Sequence, residues 1–295
     1  MERVSPLRLP AAALLLSLLA LPLLATAVFA LDALLDAGAW RALSQSHAWT
    51  RALALSLWTG LASTALAWWG ASLLLAQAFV LRRFDRLLRR LPWMLATPHA
   101  AFAIGLVFLL SPSGWLLRAL SPWLTGFELP PPWPTTQDPW GLGLIAALVL
   151  KEIPFLLWAA ATQLQRDDLR WRWRQEHALA QTLGYAPWQA WWRAVWPQLA
   201  PRLRWPLLAV LAYGLTVVDM ALVIGPASPP TLAVLAWQWL LDADLATNAQ
   251  GAAAGGLLAL TVLAAAALMD VARQLRRPAP NDGQRGVQGD GFEVA

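Results

Sequence analysis

The segment TLGYAPWQAWWRAVWPQ, residues 182–198, lies between two long apolar stretches and is itself too short and too polar to cross a bilayer. It contains four tryptophans and one arginine between Gly184 and Pro197. Gly184 suits the left-handed cap that ends a helix, and Pro187 suits the first position of the next one. The segment therefore predicts two helices joined by a glycine hinge, with Pro197 ending the second helix or starting another.

The second of these helices has one apolar side, which we call the Trp ridge. Its residues follow the spacing i, i+3, i+4, i+7, i+8 and comprise Trp188, Trp191, Trp192, Val195 and Trp196. Two interpretations are open. The ridge lies on the lipid surface, or it inserts into a groove on a cytoplasmic protein, as large aromatic anchors often do.

The composition around this segment is typical of a polytopic membrane protein. The chain has 295 residues, of which 58% are hydrophobic and 13% charged. Its net charge of +5 is dispersed between apolar runs, which argues against a nucleic-acid partner. Cysteine is absent and the three histidines have no metal-ligand spacing, so we expect no metal site. We predict one all-α transmembrane domain over residues 1–277 and a disordered cytoplasmic tail over residues 278–295.

Runs long enough to span the hydrocarbon core predict about six transmembrane helices, at residues 9–31, 53–81, 91–110, 141–163, 205–224 and 251–271. Most basic residues fall in the N-terminal flank, the second and fourth connections and the tail, so we expect both termini in the cytoplasm. A cleavable signal peptide is an alternative for the first run, whose length favours a retained helix. In the third connection, the spacing from Trp115 to Trp123 predicts a short interfacial helix.

The fourth connection, residues 166–204, resembles the EAA loop of binding-protein-dependent ATP-binding-cassette (ABC) importer permeases. That loop has the pattern Glu-Ala-Ala, three residues, Gly, and a Pro thirteen positions after the Gly, which Gly184 and Pro197 match. The chain departs from the pattern at two positions, with Ala178 in place of the Glu and Trp196 in place of the Leu before the Pro. Glu176 is the nearest acidic residue upstream of the hinge. The resemblance implies a type I permease bundle in the bacterial inner membrane, with a cytoplasmic coupling helix docked on an ATPase.

The fifth predicted span is similar to the segment around Glu-Phe-Gly-Ala-Thr in sulfate, molybdate, iron and thiamine type permeases. Its sequence is AYGLTVVDMALVIGPASPPTLAV, residues 212–234, with Asp219 at the acidic position. Met220 and Ala221 replace the Phe and Gly of the pattern. The similarity implies an oxyanion, iron or thiamine substrate sooner than a sugar or peptide.

Three ionisable side chains fall within predicted spans: Lys151, Glu152 and Asp219. A charge at the bilayer centre costs about 2.5 to 3.5 kcal/mol on insertion scales, so such groups face the protein interior or a watery path. Lys151 and Asp219 lie at similar depths in their spans, which predicts an ion pair between neighbouring helices. They either line and gate a translocation path or only hold helices together, and both hypotheses stay open.

The chain has no phosphate-binding loop, because its single lysine, Lys151, lacks the glycine frame that a Walker A motif needs. We therefore expect a non-catalytic permease subunit with no cofactor of its own, and ATP bound by a separate ATPase. The expected partners are cytoplasmic ATPase subunits, a second permease chain of identical or different sequence, an external substrate-binding protein and membrane lipid. The alternative is an ion-gradient-driven transporter that uses Glu152 and Asp219, although the inverted repeats typical of that class are not evident.

Overall fold

The computed structural model describes residues 8–275, and within them every regular element is helical. The α-helices are α1 Arg8–Leu35, α2 Ala37–Gln45, α3 Ala48–Val80, α4 Phe84–Ala96, α5 His99–Leu110, α6 Trp115–Leu120, α7 Leu142–Leu164, α8 Asp167–Thr182, α9 Pro187–Ala190, α10 Trp196–Leu199, α11 Arg204–Thr216, α12 Asp219–Ile224, α13 Leu232–Leu240 and α14 Leu245–Leu275. A π-helical turn, Trp191–Val195, precedes α10, and a 3-10 turn, Ala200–Leu203, follows it. The predicted all-α membrane fold is confirmed, and the predicted tail lies outside the described residues.

Five segments of the described chain are long and apolar enough to cross a membrane: Leu16–Leu35, Ala48–Val80, His99–Leu120, Leu142–Leu164 and Leu245–Leu275. They correspond to five of the six predicted spans. The remaining one, residues 205–224, is not a single helix, and the third span begins eight residues later than predicted.

The third predicted span is interrupted at Thr97 and Pro98, between α4 and α5. A residue before proline is restricted to extended backbone, and Thr97 has φ −69° and ψ 122°. The residues from Leu91 to Ala96 therefore belong to α4, which also carries Arg86, Arg89 and Arg90. Helix α4 is amphipathic and leads from the arginine-rich connection to this break.

The fifth predicted span is interrupted at Val217 and Val218, between α11 and α12. Val217 is extended, with φ −63° and ψ 128°. With Thr216 these residues form three consecutive β-branched positions, which have low helix propensity because their side chains lose χ1 freedom against the preceding turn. The break leaves Asp219 at the start of α12.

The connections meet on two opposite sides of the bundle, as the charge pattern predicts. On the arginine-rich side, the Arg170 guanidinium of α8 lies 3.7 Å from the Asp85 carboxylate of α4. On the other side, the backbone N–H of Gln137 donates to the carbonyl of Ile224 at 2.9 Å, and the Trp58 indole donates to the carbonyl of Trp140 at 3.0 Å. The second and fourth connections therefore share one face.

Helix α3 is central and packs closely against α7 and α11 through small residues, which include Ser56, Gly60, Ser63, Ala67 and Ala71. A Cβ at Gly214 would lie 3.3 Å from the Cα of Gly60, so α3 and α11 cross almost backbone to backbone. Small residues permit such close packing inside membranes. Helix α1 lies at the periphery, packs against α14 and leaves most of its described side chains exposed.

Candidate functional site

The arginine-rich side carries a bent helical segment that we call the elbow: α8, the hinge at residues 183–186, and the helical run at residues 187–203. Gly184 has φ +89°, a left-handed conformation that favours glycine, and its N–H donates to the carbonyl of Gln181 at 3.0 Å. Pro187 begins α9, and its carbonyl lies 3.0 Å from Nε2 of His177 on α8. The predicted glycine cap and proline start are confirmed.

The helical run continues past Pro197 into α11 instead of ending there. The N–H of Trp196 donates to the carbonyl of Trp191, five residues earlier, which closes the π-helical turn. Pro197 then stands in the first turn of α10, directly after the π-helical turn. Of the two predicted roles for Pro197, starting the next element is the one observed.

The Trp ridge packs inside the chain, so the prediction that it faces a partner protein or lipid is wrong for most of its members. Trp191 and Val195 are 0% exposed, and Trp192 and Trp196 are half-buried. The Trp191 ring centroid lies 4.8 Å from that of Phe79, and Trp196 lies 5.1 Å from Trp68. Both partner rings are on α3.

The length of α3 explains why the ridge is covered. Its 33 residues extend about 50 Å, well beyond the roughly 30 Å hydrocarbon core. The last turns of α3 and the end of α7 together form an apolar wall at the arginine-rich end of the bundle. The ridge buries itself against this wall, which a prediction from single helices does not include.

The tip of the elbow, residues 178–189, is largely exposed. Leu183 is 71% exposed and Trp188 is 43% exposed, and Leu179 is also exposed. Gln189 stabilises the bend by accepting a hydrogen bond from the N–H of Ala186 at 3.2 Å. The tip thus presents apolar side chains on a face that is otherwise rich in arginine.

Glu176 ties the two arms of the elbow together. Its carboxylate accepts hydrogen bonds from Nε of Arg172 at 2.8 Å and from the side-chain amide of Gln198 on α10. The amide oxygen of Gln198 in turn accepts from the indole of the fully buried Trp173 at 3.2 Å. Desolvation raises the pKa of Glu176, but the hydrogen bonds from Arg172 and Gln198 and the charge of Arg172 outweigh it and hold this pKa below its ordinary value.

Within the membrane, Lys151 of α7 binds the broken end of α4. It is 4% exposed, and its ammonium donates to the carbonyls of Met94 at 3.2 Å and Thr97 at 2.7 Å. Two of the carbonyls that the helix break frees therefore have a charged donor. No salt bridge joins Lys151 to Asp219 within residues 8–275, so the predicted ion pair is wrong.

Asp219 instead joins an aromatic pair that connects the two helix breaks. Its carboxylate accepts from the Tyr213 hydroxyl at 3.4 Å, and the Tyr213 ring lies 4.9 Å from that of His99. His99 follows the first break and Asp219 the second. Glu152 is buried beside Lys151 on α7. The three predicted intramembrane residues thus lie around two adjoining interruptions in the helices, which we call the break site.

Several residues of these sites were not predicted. His99 and Tyr213 belong to the break site, while Trp173 and Gln198 link the arms of the elbow. The sequence did contain signals for the breaks, in the Thr-Pro pair at residue 97 and the β-branched run at residue 216. In the part of the chain that the structure describes, no group of three or more His, Asp or Glu side chains is placed to hold a metal ion.

Comparison with known proteins finds similarity to an ABC transporter permease. No family model matches the chain. The inner membrane ABC transporter permease protein YnjC of Escherichia coli (strain K12) is 36% identical over 271 residues, which cover 90% of this chain. The chain spans about half the length of that protein, 49%. The chain is therefore related to the ABC transporter permeases of the inner membrane over nine tenths of its length.

Proposed function

We propose that this chain is the non-catalytic transmembrane subunit of an ATP-driven importer, and that the elbow tip docks on a separate ATPase. The observation that carries the proposal is the tip itself: Leu179, Leu183 and Trp188 are exposed on the arginine-rich face. They lie next to the base of the elbow, residues 190–199, in which Trp191 and Val195 are fully buried. Exposed apolar side chains on a rigid, polar-rimmed surface are typical of a protein-binding site.

The base of the elbow supplies a physical route from the tip to the membrane. Trp191 and Val195 pack among residues of α3 and α7, the central helices of the bundle. Helix α7 carries Lys151, whose ammonium binds the broken end of α4. Because close-packed interiors transmit displacement, movement of the tip would shift α7 relative to α4.

We propose that the break site lines the translocation path. Asp219 is exposed, and its neighbours Tyr213 and His99 are half-buried. These three side chains are therefore accessible in the isolated chain. Non-helical backbone at membrane depth is tolerated where it is buried in protein or lines a water-filled cavity. A second permease chain, identical or different, would enclose this site, which fits the relative's being about twice as long as the part that aligns.

The remaining partners follow from this arrangement. ATP would bind to the cytoplasmic ATPase subunits, and this chain would hold no cofactor. Both termini would lie in the cytoplasm, on the side of the elbow. An external substrate-binding protein would deliver substrate at the opposite face, which carries the connection between α5 and α7.

The experiment replaces Trp188 or Leu183 with Asp and measures co-purification of the ATPase and ATP-dependent uptake into proteoliposomes. Leu245→Asp is the matched control, because Leu245 is 84% exposed but lies at the start of α14, outside the elbow. We expect both tip variants to lose the ATPase and uptake together, with the control unaffected. Retained ATPase binding by both tip variants would refute the docking proposal.

An ion-gradient-driven transporter is the alternative, since Glu152 and Asp219 are carboxylates at membrane depth. Within the described residues, the Glu152 carboxylate has no hydrogen-bond donor, which leaves it available for a proton or Na⁺. The two functions separate in intact cells. Uptake that stops on ATP depletion and resists an uncoupler supports the importer, and the reverse pattern supports the alternative.

A further inference from the structure

A groove between the end of α3 and the start of α4 combines cationic and apolar walls. Its volume is about 290 Å³, similar to the smallest pockets that bind small ligands. Its lining includes Arg83, Arg86 and Arg90, together with Leu74, Leu81 and Leu87. Arg86 and Arg90 lie one turn apart on one side of α4, and Arg83 is the residue that precedes this helix.

These arginines have no acidic partner within residues 8–275. The acidic residue of this turn, Asp85, lies 3.7 Å from Arg170 on α8, toward the elbow and away from the groove. The positive charge of the groove is therefore not neutralised by the chain itself. An anionic ligand would provide the counter-charge and could bind guanidinium groups in a bidentate manner.

The apolar wall indicates which anion fits. Leu74 and Leu81 are exposed at the end of the membrane-spanning α3, where an acyl chain would lie beside them. Trp93, on the same amphipathic helix as the arginines, is 82% exposed, and an indole in that position is typical of the membrane interface. A free phosphate would use the arginines but leave the leucines without a partner.

We propose that this groove binds an anionic phospholipid of the cytoplasmic leaflet, with its phosphate on Arg86 and Arg90 and an acyl chain along Leu74 and Leu81. Basic pockets at the cytoplasmic side of membrane helices bind such headgroups by the same electrostatics. The bound lipid would join α4 to α3 on the side opposite to the contact of Asp85 with Arg170. It would thus fix the orientation of α4, whose far end is bound by Lys151.

The test is native mass spectrometry of the purified full-length chain with phosphatidylglycerol or phosphatidylcholine of the same acyl chains. We expect the chain to retain phosphatidylglycerol preferentially. The double variant Arg86→Gln/Arg90→Gln should lower this preference about 25-fold, because each basic side chain near an anionic headgroup contributes roughly a factor of five. Arg89→Gln is the control, since Arg89 lies on the same helix but does not line the groove, and its preference should change less than about threefold.

Three results would overturn the proposal: equal retention of the two lipids, an equal loss in Arg89→Gln, or displacement of the lipid by inorganic phosphate. The second result would indicate diffuse surface charge, and the third a site for a soluble anion. If the double variant does not elute as a monodisperse species, Arg86→Lys/Arg90→Lys replaces it. That pair keeps the charge but not the bidentate geometry, so an intermediate loss supports the proposal and no loss contradicts the guanidinium contacts.

Discussion

Replacing Trp191 with alanine tests whether the Trp ridge packs inside the chain, as the structure has it, or faces outward, as the sequence analysis predicts. The side chain is 0% exposed and contacts Phe79 on α3. Its truncation leaves a cavity in the base of the elbow, and we expect a loss of about 3 to 5 kcal/mol in the free energy of unfolding. Trp188, only a few residues away but 43% exposed, should lose about 1 kcal/mol or less on the same change.

A phenylalanine at position 191 refines this expectation. The indole N–H of Trp191 is buried and has no hydrogen-bond partner among the residues the structure describes, which costs about 1 to 3 kcal/mol. Trp191→Phe removes that cost while it keeps most of the ring packing. We therefore expect this variant to unfold within about 1 kcal/mol of the unmodified chain, far from the alanine variant.

The assay is denaturant unfolding in detergent, followed by circular dichroism, together with co-purification of the ATPase. We expect Trp191→Ala to lose stability and Trp188→Ala to lose mainly the ATPase. The reasoning fails if Trp191→Ala unfolds like the unmodified chain and yet releases the ATPase. That outcome would mean that the Trp ridge faces the partner, which is one of the two interpretations of the sequence pattern.

Three further predictions concern the hinge, the helix crossing and the pH dependence of the elbow. Gly184→Ala should cost about 1 to 2 kcal/mol in thermal unfolding because φ is +89°, although no neighbour obstructs the new Cβ, and unchanged stability would contradict the hinge geometry. Gly60→Leu should prevent correct packing of the helices, because even a Cβ there would lie 2.8 Å from Leu215, and the variant should aggregate in size-exclusion chromatography. Gly105→Leu is the control, because a Cβ at Gly105 meets no neighbouring atom, and it should elute normally. Since the pKa of Glu176 is lowered, its contribution to stability is present above the ordinary glutamate range and is lost as the pH falls through the folded pKa; Glu176→Gln should abolish this acid dependence in pH-resolved melting curves.

Local signals in the sequence were sufficient to predict the elbow's backbone. Gly184 and Pro187 each have a conformational reason for their position, and neither depends on distant contacts. The same is true of four of the six predicted membrane spans, which follow from length and polarity alone, whereas the third and fifth are interrupted. These features were predicted correctly because each is determined within one or two helical turns.

The burial of the Trp ridge depends instead on a tertiary contact. An apolar helical stripe has the same pattern whether it packs on its own chain, on lipid or on a partner, and only the position of the end of α3 decides between these. Likewise, the depth of Lys151 was predicted, but its partner was not. The broken end of α4 supplies backbone carbonyls, which carry no side-chain signature.

The attachment of Lys151 to the end of α4 has a consequence for any separation of α7 from α4. If α7 moves away from α4, the hydrogen bonds from the Lys151 ammonium to the carbonyls of Met94 and Thr97 break. The charged and polar groups then have no partner in an environment of low polarity. Only water is small and polar enough to solvate all three groups at once. We therefore expect separation of these helices and hydration of the gap to occur together, because a dry gap would leave a buried charge without partners.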